Sequence, residues 1–156
     1  MAAPYPRYEC FARTDPAILG WMSTRRPDGG FVIEQLEGLT LTRISLVGLI
    51  ELAFGEEETI KLKIERDFLV WVAPNSEPIK VEFRPYLDHW EPTGMRELAL
   101  LFRSVVSSAE ATPDALLAIT FTNGRRLEVE PDPEFEGWNL FSPNELLGQP
   151  AGGDFR

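Results

Sequence analysis

Two runs of alternating apolar and polar residues, each doubled back across a polar turn, constrain this chain more than any other feature. In the first, Ile50, Leu52 and Phe54 alternate with Leu49, Glu51 and Ala53. The turn Gly55-Glu56-Glu57-Glu58-Thr59 follows, and then Ile60, Leu62 and Ile64 alternate with Lys61, Lys63 and Glu65. In the second, Leu117, Ile119 and Phe121 alternate with Leu116, Ala118 and Thr120, and Leu127 and Val129 alternate with Arg126, Glu128 and Glu130. A period of two puts one set of side chains on each face of a strand, so each run predicts a half-buried hairpin. Between the second pair of strands lies Asn123-Gly124, the pair preferred where both central turn residues need positive φ.

The two hairpins read as copies of one unit. Leu52-Ala53-Phe54 aligns with Ile119-Thr120-Phe121, and Ile64-Glu65 with Val129-Glu130. Each hairpin follows a further strand-like run, Thr42 to Val47 in one case and Ser104 to Ala109 in the other. Each is followed by large aromatics, Phe68 in the first copy and Phe135 with Trp138 in the second. Two copies are too few for a solenoid. They suit one antiparallel sheet, or two sheets closing on each other.

Between the copies, Val70-Trp71-Val72 extends the first unit and Ile79 to Phe83 alternates as a short strand. Pro74, Pro78, Pro85 and Pro92 mark residues 73–92 as loop-rich. Thr93 to Arg103 then predicts a helix, because Met95, Leu98, Leu101 and Phe102 recur at spacings of three and four. Residues 1–38 carry Pro4, Pro6, Pro16 and the turn Pro27-Asp28-Gly29-Gly30. They predict an extension packed on the main domain at 39–156, with Asp15-Pro16 opening a short helix to about Trp21 or Met22 and Phe31 to Ile33 as a short strand. The expected class is therefore α+β, a mainly antiparallel sheet from two related meanders with one clear helix.

The run from Leu116 to Leu140 resembles a family of small uncharacterised bacterial proteins, common in actinobacteria. In that family a strand, a Gly-containing turn and a strand ending in Ile/Val-Glu occur twice. The second copy is followed by Pro-x-x-x-Tyr/Phe-Glu-x-Trp and a Gly-rich end. Here those parts stand as Pro131-Asp132-Pro133-Glu134-Phe135-Glu136-Gly137-Trp138 and Pro150-Ala151-Gly152-Gly153. The resemblance spans residues 39–153, leaves the segments at 1–38 and 73–92 outside its pattern, and supports the fold while carrying over no functional residue.

Candidate chemistry is sparse. His89 is the only histidine and Cys10 the only cysteine, which excludes a disulfide within the chain. Neither sits in a nucleophile motif, so no enzyme activity is expected. Glu128, Glu130, Asp132, Glu134 and Glu136 recur every second residue and could offer oxygens to a hard cation, but Pro131 and Pro133 interrupt the strand. No metal or cofactor is expected. Phe135 and Trp138 are expected to pack back onto the second hairpin. Trp71 and Trp90, with the turn acids Glu56, Glu57 and Glu58, are the candidate partner surface.

The formal net charge of −10 disfavours nucleic acid and anionic membranes and favours a cationic protein partner. No signal peptide or membrane span is read at Met1 to Arg7 or elsewhere, so a cytoplasmic protein is expected. Three functions fit. One is a protein-binding module, most specifically an inhibitor or immunity-type protein. Another is a small-ligand pocket, with weak activity, between the sheet and the 73–92 loops. The third is an accessory subunit, which would carry an exposed apolar patch.

Overall fold

The computed structural model describes residues 24–88, 91–132, 137–142 and 145–148. The short helix expected near Asp15, together with Cys10, His89, Trp90, Phe135 and the Gly-rich end, lies outside them. In chain order the elements are β1 (Thr24–Arg25), β2 (Phe31–Val32), a 3-10 turn (Glu34–Leu36), β3 (Leu41–Val47), β4 (Leu49–Phe54), β5 (Ile60–Ile64), β6 (Phe68–Trp71) and β7 (Ile79–Val81). Then come helix α1 (Met95–Ala99), β8 (Val106–Ala111), β9 (Leu117–Phe121), β10 (Arg126–Val129), β11 (Trp138–Ser142) and β12 (Glu145–Gly148). All pairings between these strands are antiparallel.

Both hairpins form where the alternation puts them. In the first, Ile50 stands opposite Ile64, Leu52 opposite Leu62 and Phe54 opposite Ile60, and all six are buried. In the second, Ile119 faces Leu127 and Leu117 faces Val129. Burying each such side chain contributes about 1.5–3 kcal/mol. A one-residue slip would turn every one of them to solvent, and this fixes the register. The turn of the second hairpin differs from the sequence expectation. Only Gly124 is left-handed, at φ 82°, and its N–H donates to the Phe121 carbonyl while Phe121 N–H donates to Arg125. That is a type I turn closed by a glycine bulge. Asn123 is held instead by its side chain, which donates to Ser104 Oγ and accepts from the Arg125 N–H.

The strands make two sheets. The larger has seven strands in the order β1-β2-β8-β9-β10-β6-β7, and the smaller has five in the order β12-β11-β5-β4-β3. Each meander, β3-β4-β5 or β8-β9-β10, is therefore extended by the hairpin that follows the other. β6 leaves the first meander and pairs with β10, with Val70 opposite Leu127. β11 leaves the second and pairs with β5, with Trp138 opposite Ile64 and Leu140 opposite Leu62. Trp138 was expected against the second hairpin. Its indole does meet that unit, donating to the Ala115 carbonyl at 2.9 Å, but its backbone belongs to the other sheet. One continuous cluster of buried side chains from both sheets fills the interior, with Leu98 and Leu101 from the α1 region and Ile33 and Leu36 from the 3-10 turn.

The helix is shorter than its apolar stripe predicts. Only Met95–Ala99 is α-helical. Beyond it, Leu101, Phe102 and Ser104 donate to carbonyls three residues back, and Arg103 turns left-handed at φ 65°. This tightening buries Leu98 and Leu101 but swings Phe102 outward, to 45% exposure. The first strand of the second meander also begins two residues later than expected, at Val106, because Ser104 is buried as the Asn123 partner. Gly94, at φ 77°, lets α1 start against β7, since a Cβ there would lie 2.7 Å from the Lys80 carbonyl oxygen. Among the described residues, no helix is long and apolar enough to cross a membrane.

Replacing Trp138 should expose how far the fold depends on it. Trp138→Ala is expected to lower the unfolding free energy by about 3–5 kcal/mol in urea melts. Trp138→Phe should lose about 1–3 kcal/mol, chiefly from the unpaired Ala115 carbonyl.

Candidate functional site

Two surface concavities flank the places where the hairpins change sheets. The larger, about 330 Å³, is lined by Arg66, Asp67, Phe68, Leu69, Lys80, Glu128 and Glu130. β6 and β10 position it. Their pairing puts Leu69 beside Glu128, and Lys80 stands across from Leu69 on β7. The charges are largely consumed by one another. Asp67 accepts from the Arg84 guanidinium through both oxygens and lies 3.6 Å from Lys80 Nζ. Lys80 also reaches Glu82 at 3.0 Å. Glu128 accepts from Arg126, which is 2.8 Å away at Nε. Arg66 donates to the Pro131 carbonyl and approaches Glu130 at 3.9 Å, while its buried Nε has no partner among the described residues.

These pairings hold the cations charged. The hydrogen bond that Lys80 donates to Glu82, aided by the charges of Glu82 and Asp67, raises Lys80 above the usual lysine range. Asp67 raises Arg84 in the same way, first by its hydrogen bond and then by its charge. Both are therefore held as cations near neutral pH, and the charges of the cleft are paired with one another. Among the described residues, no three His, Cys, Asp or Glu side chains are grouped to hold a metal ion. The alternating acids read from the sequence are placed accordingly. Glu128 and Glu130 face arginines, and Glu134 and Glu136 lie outside the described residues.

The smaller concavity, about 180 Å³, is lined by Gly48, Leu49, Ile64, Glu65, Phe83 and Tyr86. It runs from the tip of the β3–β4 hairpin to the loop after β7. Around it stand exposed apolar side chains: Val47 at 81%, Tyr86 at 75%, and Leu46 and Leu87 at close to half. Sequence reasoning passed over this patch. Its signal is visible afterwards in Leu46-Val47-Gly48-Leu49, where alternation gives way to an unbroken apolar run across a hairpin tip.

The residues proposed from sequence do not converge. Trp71 is half-buried on β6 of the larger sheet, paired across the strands with Arg126. Glu56 and Glu57 are exposed at the β4–β5 turn, which belongs to the smaller sheet. Glu58 is not a solvated turn acid. It adopts φ 52° and holds Arg43, with Oε1 2.6 Å from Nε, and Glu51 shares the same guanidinium. The Glu58 hydrogen bond is the main reason Arg43 is raised above its ordinary value. Trp90 lies outside the described residues.

The structure thus defines a small two-sheet antiparallel β protein with a fixed-charge cleft and an apolar surface groove. By residues 32–155 the chain belongs to a family of unknown function, DUF6188. No curated protein and no solved structure matches it.

The charge network of the cleft makes a measurable contribution. Asp67→Ala is expected to destabilise the fold by about 1 kcal/mol at low salt, because Arg84 and Lys80 lose their shared acceptor. Raising the salt should shrink that loss in paired urea melts.

Proposed function

We propose that this chain is a protein-binding module, an inhibitor or immunity-type protein that occludes its target, and that the apolar groove is its contact surface. The observation that carries this reading is the exposure of Val47, Tyr86 and Leu87 around one groove in a chain of net charge −10. Apolar patches of this kind rimmed by polar residues mark interaction sites. Tyrosine in particular contributes rigid contact area with a polar tip. Among the described residues, Glu65 is the one charge lining the groove, while the sequence as a whole is acidic. The fitting target presents an apolar anchor within a basic surround, drawn in by long-range attraction and held by desolvated contact. The chain's three-strand pattern, repeated in each half with an exchanged hairpin, fits an origin by internal duplication. The resemblance to actinobacterial proteins points to a bacterial cytoplasm as the place to look for the target.

A second reading rests on the 330 Å³ cleft, which is large enough for a small ligand. A ligand there must carry both charge signs and displace internal ion pairs, so this reading ranks below the first.

The test is capture of a target from the native source by the tagged chain, at low and raised salt, followed by mass spectrometry. A single stoichiometric protein, weakened by salt and lost in Tyr86→Ala and Leu87→Asp variants of unchanged melting temperature, is the expected result. Capture unaffected by both variants would remove the groove as the contact surface.

A further inference from the structure

Among the described residues the two sheets have four edge strands, and these differ in length and charge. β1 has two residues, β7 has three, and β12 has four. β7 also follows Pro78 and carries Lys80 in an ion pair. Short strands, prolines and charged side chains are the ordinary means by which proteins blunt an edge. β3 is different. It has seven residues, Leu-Thr-Arg-Ile-Ser-Leu-Val. Only its beginning is closed on the outer side, where Leu41 N–H donates to Ser104 and the Leu41 carbonyl accepts from Arg103. From Arg43 to Val47, no strand or bridge lies on that side among the described residues.

The side chains along this stretch suit a partner strand rather than water. Leu46 points to the core side of the sheet, opposite Ile50, yet stays 44% exposed because β3 outruns the elements that cover its neighbours. Ile44, opposite Leu52, is only partly buried. The one charge on β3 is Arg43, and its guanidinium is already shared by Glu58 and Glu51. In a molecule of net charge −10, this edge is electrically neutral. A second copy can approach it without setting like charges against each other.

We propose that β3 is a homodimer interface, in which two copies pair antiparallel along Arg43–Val47 and join their five-stranded sheets into one. A two-fold axis through Ser45 gives a self-complementary register, as an isologous interface requires. Ile44 then faces the partner subunit's Leu46, and Leu46 faces the partner subunit's Ile44, closing an apolar cluster on the core side. Arg43 faces the partner subunit's Val47, so the two arginines are kept apart. The free backbone groups of both edges become mutual donors and acceptors. This pairing goes beyond target capture by Tyr86 and Leu87 and does not rest on it.

Salt separates the two interactions. Dimerisation brings two acidic molecules together, so screening should strengthen it, whereas salt weakens capture of a basic target. Sedimentation equilibrium of the purified full-length chain, at about 0.05 and about 0.5 M sodium chloride, should show a monomer–dimer equilibrium shifted to dimer at the higher salt. Leu46→Lys should weaken it by roughly tenfold or more, by placing a charge in the paired edge. Val47→Lys, at a site too exposed to be needed for folding, should weaken it as well. Tyr86→Ala should leave it unchanged. Amide hydrogen exchange at residues 43–47 should slow as protein concentration rises. A monomer at both salts, or a dimer that survives both lysine variants, overturns the proposal, whatever the capture experiment finds.

Discussion

The fold turns on two connections that cross and hold each other. The chain leaves β5 through Glu65 and Arg66 to enter the larger sheet, and leaves β10 through Pro131 to Gly137 to enter the smaller one. At the crossing, Glu65 N–H donates to the Gly137 carbonyl at 2.9 Å and Arg66 donates to the Pro131 carbonyl. Gly137 is left-handed, and a Cβ there would sit 3.0 Å from the Glu130 carbonyl oxygen, so the close approach needs glycine. Immediately after each crossing a large aromatic enters the core, Phe68 on one strand and Trp138 on the other. Each meander gives the hairpin that follows it to the other sheet, so neither sheet is complete without both halves of the chain.

That exchange also sorts the surface. Where β6 meets β10, outward-facing charges are brought together from distant parts of the sequence, and they neutralise one another. Asp67 with Arg84 and Lys80, and Glu128 with Arg126, are the main pairs. Such part-exposed pairs stabilise little individually. Their effect is to line the cleft with charges that are already paired. At the β3 edge of the smaller sheet, the tip of the β3–β4 hairpin projects past the core and leaves Leu46 and Val47 uncovered.

The sequence showed the hairpins clearly because each depends on residues close in the chain and on a period of two. Ile60, Leu62 and Ile64 could face only one way. It overstated the helix, because Leu101 and Phe102 continue an apolar stripe although the backbone has left the α-helix after Ala99 and tightened into three-residue turns before the left-handed Arg103. It put Glu58 with Glu56 and Glu57 on one candidate surface because nothing in that run separates one acid from the next. The distinction comes from Arg43, fifteen positions away in sequence and adjacent across the sheet. The apolar groove was illegible for the same reason, since Leu49 and Tyr86 meet only after β7 has returned beside β6.

By itself the sequence determined the local elements: which residues pair into hairpins, which faces turn inward, and the acidity that any partner must meet. Alternation, turn chemistry and charge are properties of neighbouring residues, and folding does not alter them. The tertiary structure alone decided the exchange of β6 and β11 between sheets, the pairing of the cleft charges, and the open length of β3. Those depend on contacts between residues far apart in the chain, where many pairings of similar strands satisfy the same pattern. Only the filling of one shared core selects among them.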